Sequence, residues 1–247
     1  MRPERVRILG IPVDAVDFQG ALSWVEWAVG QPGFKRIVAV NPEKVMAAQK
    51  DSDLKAFLEE SDLLIPDGIG VVKAARLLGL ARMERVAGSD LMPAICALAA
   101  GSGYRIFIYG SRPEVNEKAR EILKKRFPGL SIVGWSHGYV RPEEMNGLIE
   151  RINASGADIL FIALGSPKQE KWMAKHGPSL SVKVAQGIGG TLDTIAGNVK
   201  RAPAIFRDLN LEWLYRLITN PRRARRQAVL PIFAWRVLKE RLGRGGN

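Results

Sequence analysis

A carboxylate at the end of an apolar run has the position of a catalytic base. Asp67 follows the apolar run at residues 63–66 and is itself followed at once by Gly68. Asp-Gly is also the dipeptide of a tight hairpin turn, but a hairpin requires a second alternating strand. The residues from Val71 to Leu78 instead place apolar side chains at helical spacing. The pattern favours a strand-to-helix crossing with Asp67 on the ligand side of a sheet.

Two further polar residues can be explained without a catalytic role. Arg85 could form an ion pair at the surface. Asp193 ends the stretch GIGGTLD and suits either a ribose hydroxyl or a helix cap. That stretch follows an apolar run, but Leu192 occupies the place of the third glycine in the dinucleotide fingerprint. The sequence therefore gives only a weak signal for a dinucleotide site.

The acidic residues do not form a convincing metal site. Asp51 and Asp53 resemble the D-x-D with which many sugar-nucleotide transferases hold a divalent metal. They lie between two helical stretches with no apolar strand before them, so Asp53 is better explained as a helix N-cap. His137 and His176 are isolated in the sequence, and Cys96 is the only cysteine, which excludes a disulfide and a cysteine-based zinc site. We expect no metal and no other cofactor.

Strand-like and helix-like segments alternate through the first 200 residues. Near-continuous Val/Ile/Leu runs separated by helices of about 10–15 residues are typical of a parallel sheet covered on both faces. We predict an α/β fold with a Rossmann-like, mostly parallel sheet and helices on both faces. The predicted strands lie at residues 8–16, 36–40, 63–65, 104–110, 131–136, 158–165 and 182–189.

Two of the predicted strands lead into helices through the same short pattern. Ser111 stands three residues before Glu114, and Ser166 stands three residues before Gln169, with a proline in each first turn. This is the capping-box pattern, in which both side chains close the helix N-terminus. Ligands in open α/β sheets bind at the carboxyl ends of strands, near helix N-termini. The acids and amides at these ends are therefore candidate binding residues.

The positive charge of the chain is concentrated at its C-terminal end. The formal net charge is +12, and residues 201–247 contain eleven basic and three acidic residues. Such a block usually meets phosphates of nucleic acid, anionic lipid or a phosphorylated substrate. We expect an α/β domain at residues 1–200 and a basic helical appendage at residues 201–247.

The appendage contains a helical stretch with two interpretations. From Pro231 onwards, a helix would align Ala234, Leu238 and Leu242, with Trp235 beside them. It would be a basic amphipathic helix at a membrane surface, or a helix that packs on the domain with a solvated charged face. No apolar run approaches the about 18 residues needed to span a bilayer, and the first residues lack the apolar core of a signal peptide. We expect a cytosolic protein whose C-terminal end contacts a surface.

Taken together, the sequence resembles the WecG/TagA/CpsF family of glycosyltransferases. The resemblance runs in order over most of the chain, and the combination of PDGxG, GSPKQE, AGxxxRAP and EWLYRL is specific. The matching segments are VNPEKV (40–45), LLIPDGIGVVKAARLLG (63–79), ERVAGSDL (84–91), FIYGSRPEVNEKA (107–119), FPGLSIVGWSHGYV (127–140), ADILFIALGSPKQEKW (157–172), GIGGTLDTIAGNVKRAP (187–203) and LEWLYRLITNPRRARR (211–226).

The resemblance implies an activity. Members transfer a sugar from a UDP-sugar to a polyprenyl-diphosphate-linked sugar at the cytoplasmic face of the membrane, in the synthesis of cell-surface polysaccharide or teichoic acid. It implies inversion to a β-linkage, no metal, and peripheral contact with an anionic membrane surface through the C-terminal region. It also suggests self-association, and we expect no nucleic-acid partner. Without a metal, arginines and a helix N-terminus must stabilise the departing diphosphate.

The resemblance also implies roles for individual residues. Asp67 matches the proposed general base, which takes the proton of the acceptor hydroxyl. The catalytic set further includes arginines, at Arg85 in the pocket and at Arg216, Arg223 and Arg226 on an appendage thought to close over the site. The substrate-binding set is Asn41, Gly68, Gly165, Ser166, Gln169, Gly189 and the nucleotide-side Asp193.

One departure from the family pattern concerns the donor sugar. Ala39 stands where the family pattern has threonine, so a hydroxyl is missing near the sugar pocket. N-acetylmannosamine, its uronic acid and glucose are all transferred by relatives, and N-acetylmannosamine is the donor we expect. Two functions from other classes stay open on the residues alone: a nicotinamide-dependent oxidoreductase on a Rossmann-like fold, and a basic nucleic-acid-binding protein.

Overall fold

The parallel sheet expected from the alternating segments is present in the computed structural model, which describes residues 2–200, 202–203, 205–206, 212–219 and 227–244. The strands are β1 (Arg5–Ile8), β2 (Ile11–Asp14), β3 (Lys35–Val40), β4 (Leu63–Pro66), β5 (Arg105–Gly110), β6 (Ser131–Ser136), β7 (Ile159–Ala163) and β8 (Val184–Gly187). Six of them pair in the order β4-β3-β8-β7-β5-β6, and every pairing is parallel. The predicted fold class is confirmed.

The helices alternate with these strands as the amphipathic segments predicted. They are α1 (Phe18–Val29), α2 (Pro42–Ala48), α3 (Ser52–Glu59), α4 (Ile69–Leu77), α5 (Gly88–Ser102), α6 (Pro113–Arg126), α7 (Met145–Ala154), α8 (Lys168–His176), α9 (Thr191–Ile195), α10 (Glu212–Thr219) and α11 (Val229–Arg244). Short 3₁₀ turns lie at Pro142–Glu144 and Gly177–Ser179.

The first predicted strand, at residues 8–16, is wrong as a single strand. Residues 5–14 form the antiparallel hairpin β1-β2, which is separate from the parallel sheet. Leu9 and Gly10 both have positive φ, 51° and 77°, as a two-residue hairpin turn requires. Of these two residues only Gly10 is typical of such a turn. The apolar residues on both sides of it favoured one continuous strand, so the hairpin was not predicted.

Two hydrophobic cores cover the two faces of the sheet. The first core contains the hairpin and the inner sides of α2, α3, α4, α7 and α8. The second contains α1, α5, α6 and α9. The side chains of β7 are buried along its whole length, which explains its unbroken apolar sequence, since a central parallel strand is covered on both faces.

The carboxyl edge of the sheet has a crevice at the end of β5 and β7. The helix after β5 is α6, which packs in the second core, whereas the helix after β7 is α8, which packs in the first. The chain therefore leaves two neighbouring strands towards opposite faces. Ligands of open α/β sheets bind at such points.

The C-terminal helix α11 packs on the domain, which is one of the two interpretations drawn from its sequence. Phe233 and Val237 are buried in the first core, and the helix contacts α2 and α4. The predicted apolar stripe lies on the other side, where Trp235 and Leu238 are 61% and 48% exposed. Arg236 donates to Gln49, the C-cap of α2. No helix in the part of the chain that the structure describes has a segment long and apolar enough to cross a membrane.

Candidate active site

Asp67 lies at a strand-to-helix crossing, as its sequence context predicted. Its backbone N–H donates to Val40 O at 2.8 Å, and α4 begins two residues later, at Ile69, which excludes a hairpin. Gly68 makes the turn with φ of 96°, a conformation that L side chains rarely adopt. A Cβ on Gly70 would lie 2.7 Å from Pro42 Cγ. The two glycines thus bring the start of α4 against the start of α2 and keep the half-buried Asp67 beside it.

Asn41 lies next to Asp67 because β3 and β4 are adjacent strands that end in register. Val40 pairs with Pro66, so the residue after each strand belongs to the same edge. Asn41 is the N-cap of α2, and its Oδ1 accepts from Lys44 N at 2.8 Å. With the carbonyl oxygen used by the helix, the amide nitrogen is the group that Asn41 offers to a ligand.

Gln169 does not close a capping box, and this prediction is wrong at both junctions. Helix α8 has Pro167 as its N-cap and α6 has Arg112, and neither has a side-chain cap hydrogen bond. Gln169 is buried, and its Oε1 accepts from Gly189 N at 3.0 Å. A Cβ on Gly187 would lie 2.4 Å from Gln169 Nε2. The amide therefore packs across the end of β8 and holds the glycine turn that follows it.

A buried ion pair that the sequence did not announce lies beside Gln169. Lys44 Nζ and Glu170 Oε1 are 2.6 Å apart, and both side chains are buried. Gln169 Nε2 also donates to Glu170 Oε1, at 3.3 Å. Lys44 belongs to the VNPEKV motif and Glu170 to the KQE run. Because the two residues are 126 positions apart, no local sequence pattern predicts that their side chains pair.

A cleft of about 290 Å³ lies at the crevice between the strand ends. Predicted Gly165, Gly189 and Asp193 line it, and Ser166 directly follows Gly165. The other lining residues are Ser111, Arg112, Tyr139, Ala163, Leu164 and Gly190.

Asp193 does not cap α9, whose N-cap is Gly190. Its Oδ1 lies 3.5 Å from an Arg112 guanidinium nitrogen, and both side chains are partly exposed. Ser111, at the end of β5, has φ of 60°, which is uncommon for a residue other than glycine. Its N–H donates to Ala163 O at 2.9 Å, which joins the ends of β5 and β7 at the cleft. Arg112, Ser111 and Tyr139 were missed by the sequence reasoning, since only the fold brings them to this edge.

Arg85 forms an ion pair, as the interpretation from its residue type alone suggested, but its partner belongs to the appendage. Arg85 Nη2 lies 2.7 Å from Glu212 Oε2 on α10, and the side chains are 20% and 10% exposed. Arg216 belongs to α10 by its backbone, and its side chain lies outside the described residues, as do Arg223 and Arg226 entirely.

The D-x-D pair caps a helix, but through its other aspartate. Asp51 is the N-cap of α3 and accepts from Leu54 N at 3.0 Å, whereas Asp53 lies in the first turn. Across the described ranges, no group of three or more His, Cys, Asp or Glu side chains is arranged to hold a metal ion. Whether the reaction needs a metal stays a prediction.

These features place a carboxylate, two amides and a polar cleft at the carboxyl edge of a parallel sheet, where α/β proteins bind their ligands. The chain belongs to the WecG/TagA/CpsF family of glycosyltransferases, whose sequence model matches residues 6–247. A protein of Bacillus spizizenii is 40% identical over 203 residues, which are 82% of this chain and 78% of that protein. One of Bacillus subtilis strain 168 is 39% identical over 204 residues, 83% of this chain and 79% of that protein. Both are named N-acetylglucosaminyldiphosphoundecaprenol N-acetyl-beta-D-mannosaminyltransferase.

The family makes this chain a glycosyltransferase, as the motifs predicted. Neither a nicotinamide-dependent oxidoreductase nor a nucleic-acid-binding protein is supported by these matches.

Proposed function

We propose that this enzyme transfers N-acetylmannosamine from its UDP derivative to N-acetylglucosamine linked to a polyprenyl diphosphate, with inversion. The names of the two Bacillus relatives support the transferred sugar and the acceptor. The observation that carries the mechanism is the placement of Asp67 and Asn41 at adjacent strand ends. They form the sugar-side edge, and the cleft along β5, β7 and β8 takes the nucleotide.

In the reaction, the Asp67 carboxylate takes the proton of the acceptor hydroxyl. The freed oxygen forms a bond to the anomeric carbon of the donor, and the bond from that carbon to the UDP oxygen breaks. Asn41 and Gln169 lie at the sugar side, where the Asn41 amide donates to the donor or acceptor. Attack opposite to the leaving group inverts the anomeric centre and yields the β-linkage.

The leaving UDP occupies the cleft. Arg112 and the N-terminus of the 14-residue helix α6 stabilise the developing diphosphate charge. Asp193 accepts from ribose hydroxyls, and the exposed ring of Tyr139 stacks on the base. The arginines Arg216, Arg223 and Arg226 add positive charge from the appendage. No metal is required, so a chelator leaves the rate unchanged.

The test is transfer to a synthetic lipid-diphosphate N-acetylglucosamine, with a panel of UDP-sugars and with UDP release as the signal. Asp67→Asn is expected to lower kcat by about 10²–10⁴-fold, the contribution of general base catalysis. Asp53→Asn, an exposed carboxylate in α3, is the matched control and should keep full activity. Full activity of Asp67→Asn would remove its assigned role. A clear preference for another UDP-sugar would replace the proposed donor.

We further propose that the exposed side of α11 contacts the inner face of the cell membrane. Ile232, Trp235, Leu238 and Leu242 are all exposed there, at 50%, 61%, 48% and 70%. Lys239 Nζ lies 5.6 Å from the Trp235 ring centroid. Tryptophan beside basic residues suits the boundary between lipid headgroups and acyl chains.

Flotation with anionic lipid vesicles measures this contact. Trp235→Gln should reduce the bound fraction. Trp135→Gln, which removes a tryptophan that is 40% exposed on the edge strand β6, should not. Equal flotation of both variants and the parent protein would contradict the proposed contact. Self-association stays a prediction.

A further inference from the structure

We propose that the buried pair Lys44–Glu170 is a positioning device for the sugar site, where it sets the orientation of Asn41, Gln169 and the Gly189 turn. This inference rests on the function proposed above. Lys44 and Glu170 contact each other and act on the site through Asn41 and Gln169, not by touching the substrate.

The stability of the fold does not by itself explain why an ion pair is buried at this position. The Lys44 and Glu170 side chains are 6% and 1% exposed, and their charged atoms are 2.6 Å apart. Burying two charges costs desolvation that their attraction often fails to repay, so apolar residues of similar volume are often as stabilising. Glu170 Oε2 has no hydrogen-bond partner among the described residues. A carboxylate left half satisfied in the interior calls for an explanation other than packing.

Hydrogen bonds connect the two residues of the pair to the ends of β3 and β8. At the end of β3, Lys44 N donates to Asn41 Oδ1. In the first turn of α8, Gln169 Nε2 donates to the same Glu170 oxygen that binds Lys44. At the end of β8, Gly189 N donates to Gln169 Oε1. The resulting chain runs from Asn41 to the glycine turn that lines the nucleotide cleft.

The charge of Glu170 decides which way the Gln169 amide faces. A carboxylate only accepts hydrogen bonds, so it selects the Nε2 end of the amide. The Oε1 end is then directed at Gly189 N. If position 170 could also donate, the amide could turn over, and Gly189 would lose its acceptor. The turn that lines the cleft would then be free to shift.

Glu170→Gln tests this step, because it keeps the shape and removes the charge. We expect kcat/KM for the UDP-sugar to fall by about 10²-fold, the effect of a displacement near 1 Å at a reacting site, and mainly through kcat. Arg5→Met is the matched control, since it breaks the pair with Asp14 in the hairpin, where the charged atoms are 2.7 Å apart. Its activity per folded molecule should not change.

The double variant Lys44→Met/Glu170→Met separates positioning from stability. We expect it to regain the melting temperature of the parent protein because no unpaired charge is left buried, while transfer stays low. A folded double variant, or a folded Glu170→Gln variant, with parental kcat/KM would overturn the proposal.

Hydrogen exchange provides a measurement that does not depend on the reaction. In the parent protein the Gly189 amide should be protected, and in Glu170→Gln it should exchange faster, whereas amides in β7 keep their protection. A Gly189 amide that already exchanges at the intrinsic rate in the parent protein would refute the network, even if no variant folds. If the parent protein fails to transfer N-acetylmannosamine, the proposed function fails, and the exchange data still decide on the pair.

Discussion

Removing the charge of Glu212 should loosen the appendage without removing Arg85. The Arg85–Glu212 pair, at 2.7 Å, joins the segment before α5 to α10, and its side chains are 20% and 10% exposed. Exposed pairs contribute about 0–1 kcal/mol, and breaking a buried pair costs about 3–5 kcal/mol. Because the exposure of this pair is intermediate, Glu212→Gln should lower the local stability of α10 by about 2 kcal/mol. At about 1.4 kcal/mol for each factor of ten, α10 would detach about 30 times more often.

Two measurements on Glu212→Gln, Arg85→Gln and the double variant test this reasoning. Hydrogen exchange at residues 212–219 should accelerate by roughly the same factor of about 30 in each variant, with the rest of the sheet unchanged. Transfer should fall further in Arg85→Gln than in Glu212→Gln, because Arg85 is also expected to contact substrate. Arg105→Gln, at an exposed pair near the amino end of β5, serves as the control.

Equal losses of transfer in both single variants, with no further loss in the double variant, would show that Arg85 acts only by holding α10. It would then leave the catalytic set. Unchanged exchange at residues 212–219 in all three variants would refute the assigned role of the ion pair.

Three further predictions concern packing and titration. Gly70→Ala should lower the free energy of unfolding by about 1–3 kcal/mol, as overpacking does, because the new Cβ would lie 2.7 Å from Pro42 Cγ. It should also slow transfer, since this contact lies beside Asn41. A calorimetric scan measures the loss of stability, and an unchanged Tm would contradict it. Burial raises the pKa of the Cys96 thiol to about 12, so a thiol reagent at pH 8 should label it only in denaturant, and rapid labelling of the native protein would show that the core opens. The hydrogen bond from Arg7 lowers the pKa of Glu59. The pair therefore stabilises the fold at pH values above the unfolded pKa of Glu59, and this stabilisation is lost as the pH falls through the lower folded pKa. Arg7→Met should reduce the drop in Tm between pH 6 and pH 3, by a small amount because the pair is largely exposed.

Much of the sheet was predictable because each central strand carries its own signal. The run predicted at residues 158–165 contains β7, and that at 36–40 is one residue short of β3. Such strands are buried by helices on both faces, so their apolar character does not depend on particular partners. The hairpin was not predictable in the same way, since its turn uses Leu9 at a positive φ, which no propensity favours.

Side-chain partners were harder to predict than the elements that carry them. The capping-box pattern at Ser166 and Gln169 was clear in the sequence, yet Gln169 binds Gly189 N on another loop. A local pattern describes what a side chain can reach within its own turn. It carries no information about a competing donor that the fold brings to 3.0 Å.

The sequence by itself determined the fold class, the family and the placement of Asp67 at a strand end, because these depend on periodicity and on motifs that are contiguous in the chain. Only the tertiary structure decided that Asp67 neighbours Asn41, that Lys44 pairs with Glu170, and that Arg85 is held by Glu212. The physical reason is distance along the chain. Contacts between distant residues, which are more than 100 positions apart in the two ion pairs, follow from strand order and register, which no local segment contains.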